Sequence, residues 1–169
     1  MGRILIGTTS WTEKSLVESG QFYPPGVDTP EGRLRFYSSR FPVVEVDSIY
    51  YGLLSVRNAE LWTQRTEPGF VFDIKAFRLF TQHQTPPQHL PADIREALGP
   101  SDKGNFYYRD IPGPILDELW WRFEYALGPL RRSGRLGTVL FQFAPWFVFS
   151  DENFEFLDQL KTRLPRDRI

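Results

Sequence analysis

The chain has no cysteine, one methionine and two histidines among its 169 residues. The missing thiols exclude a disulfide framework, a thiolate nucleophile and a thiolate metal site together. A charge bias is missing too: 20 Lys and Arg stand against 21 Asp and Glu, a formal net charge of −1. A domain that wraps nucleic acid normally carries a basic excess or a basic stripe. The one local cluster, Arg131, Arg132 and Arg135, follows a helical stretch, where cations favour the helix dipole. No long apolar run occurs, and the opening MGRILIGTTSW is too short in apolar residues for a signal peptide or a membrane span. A phosphate-cradling glycine loop, a dinucleotide fingerprint and a nucleophilic triad are absent as well. What remains is a soluble, untargeted chain with a cytoplasmic address as the expectation.

Aromatic residues are abundant instead: five Trp, seven Tyr and fifteen Phe make 16% of the chain. So much ring surface must line a core or a concave site. The length supports one domain over residues 1–169. Strand and helix patterns alternate along it. Arg3–Gly7 reads as a first strand, Val43–Asp47 as a second, Phe70–Lys75 as a third and Thr138–Phe143 as a fourth, from β-branched or alternating apolar residues. Helical spacing marks 30–40, 56–66, 114–132 and 151–164, with a weaker hint at 92–98. Between Phe80 and Pro114 the chain is long and Pro-rich, a length of loop usually tied to function or local disorder.

Four βα units predict an α/β fold with a parallel sheet. A flavodoxin-like sheet would need a fifth strand and a short glycine-rich first loop, whereas the first loop here is long and aromatic. Glu45, Asp47, Asp73, Lys75 and Gln142 fall near strand ends on alternating positions. Charges there are hard to place in an open sheet packed on both faces. The inward face of a (β/α)₈ TIM-barrel-type fold accommodates them at its carboxyl end.

The segments Ile6–Trp11, Phe22–Pro24, Phe41–Tyr51, Phe72–Phe77 and Leu140–Phe147 occur in an order that resembles the domain of unknown function 72 family. The resemblance runs from the first strand to Leu164-Pro165. It implies a closed eight-stranded barrel of about 250 residues, of which this chain supplies about the first four βα units. Either the sequence is truncated, the favoured reading, or a half barrel hides its edges against another chain as a homodimer. Two departures stand out: Thr8-Thr9-Ser10-Trp11 replaces the commoner Thr-Ser-Gly-Trp, and Ile49 replaces a usual Thr.

The resemblance also implies a site holding Ser10, Trp11, Glu45, Asp47, Tyr51, Lys75, His83 and Gln142. Glu45 and Asp47, two residues apart on a strand, point the same way, and Lys75 on the neighbouring strand is placed to reach one of them. As catalytic candidates, Glu45 or Asp47 would be a general base, Lys75 its tuning partner or an oxyanion contact, and His83 a proton shuttle. Charge pairing inside a barrel is the competing, purely structural role for the first three. Trp11, Tyr50, Tyr51, Trp146 and Phe147 would form a stacking wall, or else pack beneath the loops. His89 reads as surface. Glu45, Asp47 and His83 lack a metal-site spacing, so no metal is assigned, and the sequence does not reveal a cofactor.

Two function classes survive. One is a hydrolase or isomerase acting on a small molecule. The other is a non-catalytic nucleotide or nucleic-acid binder in which Lys75 and Arg78 contact phosphate while the aromatics stack. The near-neutral charge favours the small molecule.

Overall fold

Valines 43, 44 and 46 restrict the backbone to extended conformations and form the centre of a parallel sheet. The computed structural model describes residues 4–100 and 104–163. Its strands are β1 (Gly7–Thr9), β2 (Val43–Val46), β3 (Val71–Lys75) and β4 (Leu136–Leu140), all parallel and in the order β1-β2-β3-β4. Helices α1 (Lys14–Glu18), α2 (Pro30–Ser38), α3 (Val56–Gln64), α4 (Ala92–Leu98), α5 (Gly113–Arg132) and α6 (Asp151–Arg163) fill the connections.

Local chemistry sets several helix starts. Thr29 accepts the Gly32 amide and places Pro30 at the first helical position of α2, and Ser55 accepts the Asn58 amide to open α3. The expected helices over 30–40, 56–66, 92–98, 114–132 and 151–164 all form; Leu164 lies outside the described residues.

The sheet is covered unevenly. Val44, Val46, Phe72 and Ile74 are buried against Leu34 and Tyr37 of α2, Ala59 of α3, and Leu119, Phe123 and Leu127 of α5. Alternate residues Glu45, Asp73 and Lys75 point the other way and are only half-buried. Tyr37, wholly buried, ties α2 to two strands: its hydroxyl accepts the Thr8 amide at 2.7 Å and donates to the Val43 carbonyl at 3.2 Å.

All four strands differ at their ends from the sequence reading. β2 stops at Val46, so that Asp47 leaves the strand with helical backbone angles (φ −90°, ψ −18°) and does not continue the alternation of Glu45. β3 starts one residue later at Val71, and the first and fourth strands are displaced further. The first strand was expected over Arg3–Gly7; pairing begins only at Gly7, opposite Val43, and Ile4 and Ile6 are exposed. Arg3 lies outside the described residues. Gly7 fits because a Cβ there would stand 2.0 Å from the Val43 carbonyl oxygen. The fourth strand was expected over Thr138–Phe143; it starts and ends earlier, because its partner β3 ends at Lys75, opposite Leu140. Beyond that point Phe141–Phe143 meet no strand among the described residues.

Candidate functional site

The β2–β3 register sets Thr9, Glu45 and Asp73 side by side across the partly covered face. They line a cavity of about 220 Å³ together with Gly7, Thr8 and Val43. Asp73 has a structural task in this row. Its Oδ1 accepts from the Thr138 amide at 2.7 Å and from the Thr138 hydroxyl at 2.9 Å, filling the register shift between β3 and β4. Glu45 and Asp47 are different: among the described residues neither carboxylate forms an ion pair or a side-chain hydrogen bond.

The expected pairing of Lys75 with one of these carboxylates does not form. The Lys75 ammonium stands 5.0 Å from the centre of the Tyr50 ring instead, and the Arg78 guanidinium 5.1 Å from the same ring. Tyr50 is held there by the 3-10 turn Ser48–Tyr51, into which the chain bends directly after β2. A second turn, Arg78–Thr81, follows β3 and brings Arg78 and His83 back over the strand ends. Cation–π contact stabilises the two charges but neutralises neither.

Two imidazoles complete the cluster. His83 packs its ring against Tyr50 at 5.3 Å and Trp146 at 5.9 Å. Its Nδ1 lies 2.9 Å from the Thr81 hydroxyl, which in turn donates to the Arg78 carbonyl. When the Thr81 O–H is given to the Arg78 carbonyl, His83 Nδ1–H donates to the Thr81 oxygen and Nε2 is the basic nitrogen. His89, read from sequence as surface, is half-buried: its ring meets Tyr51 at 5.8 Å and its Nδ1 accepts from Arg78 at 3.3 Å. Removal from water, reinforced by Arg78, lowers both imidazoles below their ordinary pKa, and Lys75 adds to the effect at His83. No sequence signal marks His89, because the Pro-rich loop that returns it to Arg78 has no periodicity.

The other candidates divide. Tyr51 and Trp146 flank the cluster and are more than half exposed. The Trp146 indole donates to the Gln82 carbonyl, and beyond it lies a cavity of about 570 Å³ bounded by Tyr107, Tyr108 and α6. Trp11 belongs to the core instead of a site wall: it is 9% exposed and packs edge-on against Trp62 and Phe72. Ser10 directs its hydroxyl to Thr12. Gln142 is exposed two residues past β4, with no side-chain hydrogen bond among the described residues. The Arg131–Arg135 cluster is absorbed structurally, Arg131 pairing with Glu124 at 3.0 Å and Arg135 donating to the Thr66 carbonyl. Among the described residues, no group of three or more His, Asp or Glu is placed to hold a metal ion.

An α/β chain with an all-parallel sheet and its polar side chains gathered past the strand ends is the class that fold and site define. The chain belongs to the family described as protein of unknown function DUF72, matching it over residues 5–169. It is 32% identical over 161 residues to the UPF0759 protein YunF of Bacillus subtilis, covering 95% of this chain and 47% of that protein. Among solved structures it is similar to a DUF72 family protein from Thermotoga maritima (TM-score 0.64, 24% identity, 97% of this chain and 53% of that one). A DUF72 family protein from Enterococcus faecalis gives a TM-score of 0.62 at 20% identity, covering 97% of this chain and 48% of that one. The chain thus spans about half the length of the relatives it matches.

Proposed function

We propose that the chain forms the first four βα units of a (β/α)₈ barrel and builds half of a small-molecule site at the carboxyl ends of its strands. The chemistry is hydrolytic or isomerising. Glu45 or Asp47 acts as general base, Lys75 stabilises negative charge as it develops, and His83 Nε2 shuttles a proton. Parallel strands in sequential order, with helices covering one face, support the barrel. The four further strands come from the same polypeptide or from a second copy. A two-fold axis along the barrel would set β4 beside the other copy's β1 in the parallel sense at both seams.

One observation carries the functional reading: two carboxylates and two cations lie toward one end of neighbouring strands, and no ion pair joins them among the described residues. Structural charges in half-buried places usually pair, so unpaired ones mark a site arranged for something else. The nucleic-acid alternative has less support, because these cations form one spot and not a stripe. The test is turnover of a metabolite mixture by the assembled barrel, followed by NMR, with Glu45→Gln and Asp47→Asn variants. Loss of about 10²–10⁴-fold in rate with binding retained identifies the base. Undiminished turnover in both variants removes these carboxylates from the mechanism.

A further inference from the structure

We propose that Lys75 and Arg78 hold the phosphate of a small phosphate monoester whose organic part lies against the exposed faces of Tyr51 and Trp146. The inference rests on the small-molecule reading above and names its ligand class.

Two like charges gather within about 5 Å of one tyrosine ring, and no carboxylate pairs with either among the described residues. Neither charge is balanced by a carboxylate where it stands, so an anion entering beside Tyr50 is attracted by both. Arg78 still has donors to give: one Nη1 hydrogen goes to His89, and among the described residues its guanidinium makes no ion pair. Arg78 acts on both neighbouring imidazoles, and Lys75 on His83.

Phosphate fits better than a carboxylate. A monoester presents three terminal oxygens and two negative charges, enough to meet an ammonium and a guanidinium arriving from separate positions, Lys75 at the end of β3 and Arg78 in the turn after it. Side chains must do this work, since the sequence has no glycine loop to present backbone amides. Tyr51 and Trp146, 55% and 56% exposed, give the adjoining organic group flat apolar faces.

The experiment is calorimetric titration of the chain with phenyl phosphate, benzoate and phenol, repeated on Arg78→Gln, Lys75→Gln and Trp146→Ala variants checked by circular dichroism. Phenyl phosphate is expected to bind at least about tenfold more tightly than benzoate or phenol. Arg78→Gln and Lys75→Gln should each remove about that factor and leave phenol unchanged, while Trp146→Ala weakens all three. If Arg78→Gln does not fold, Arg78→Lys and Lys75→Gln carry the comparison. Equal binding of phenyl phosphate and phenol overturns the anion assignment and leaves the small-molecule reading standing. Benzoate binding as tightly as phenyl phosphate overturns the choice of phosphate. Failure of all three ligands, with Glu45→Gln and Asp47→Asn also silent in turnover, sinks both.

Discussion

Ser10 adopts φ 63°, a left-handed conformation that non-glycine residues enter at a cost of about 1 kcal/mol. The family resemblance puts glycine at this position. Its amide is fixed by the Glu45 carbonyl at 2.8 Å, and its hydroxyl offsets part of the strain by accepting the Thr12 amide at 3.1 Å. Ser10→Ala keeps the strain and loses the hydroxyl, so it should destabilise by about 1 kcal/mol. Ser10→Gly should match the parent or exceed it in urea unfolding, and the reverse order would refute the strain. His83 makes a pH prediction at the same scale. Its folded pKa lies below 6.5, through loss of water first, then Arg78 and Lys75. The unfolded imidazole therefore takes up a proton as pH falls while the folded one resists. This group's share of stability is complete above about pH 6.5 and declines below it. Urea midpoints between about pH 7.5 and 5.5 should fall less steeply for His83→Gln than for the parent chain.

At the scale of elements, the join of β3 to β4 rests on a side chain and not on a regular ladder. Asp73 faces Gly137 and Thr138, two residues against one, and its carboxylate takes the Thr138 amide that the ladder leaves over. Gly137 is required because a Cβ would lie 2.2 Å from Asp73 Oδ1 and 2.5 Å from Val71 Cγ1. Gly137→Ala should cost more than about 2 kcal/mol, and Asp73→Ala about 1 kcal/mol, since water can reach the exposed Thr138 amide when the carboxylate is gone. Unfolding midpoints unchanged from the parent would show that the bulge is dispensable. Sequence alternation put Asp73 on the polar face correctly but could not reveal this task, which depends on a register shift between strands more than sixty residues apart. The same dependence moved the fourth strand: its composition reads as extended to Phe143, yet a strand ends where its neighbour does.

For the whole molecule, both sheet edges and one face are the unfinished features. Ile6 before β1 is 70% exposed, Leu140 at the end of β4 is 40% exposed, and Val148, Phe149 and Phe154 extend the apolar surface near α6. Parallel edges bearing apolar side chains invite pairing with further strands. By itself the 169-residue chain is expected to self-associate, and Ile6→Lys with Leu140→Lys should reduce that association with no loss of helical signal. Sedimentation across a range of concentrations reads this directly; a monomer at every concentration would show that the edges are already protected. No helix among the described residues is long and apolar enough to cross a membrane.

The sequence by itself determined the alternation of strands and helices, because caps such as Thr29 and Ser55 and the β-branched run at Val43–Val46 act over a few residues. It also determined that Glu45, Asp47 and Lys75 fall near strand ends and that the chain carries no thiol chemistry. Tertiary structure decided which side chains meet. It sent Trp11 into the core beside Trp62, and it drew His89 from an apparent surface loop onto Arg78. It left Lys75 with Tyr50 in place of a carboxylate. Contacts between residues far apart in sequence depend on the path of irregular loops. Those paths are fixed by packing and carry no local period to read.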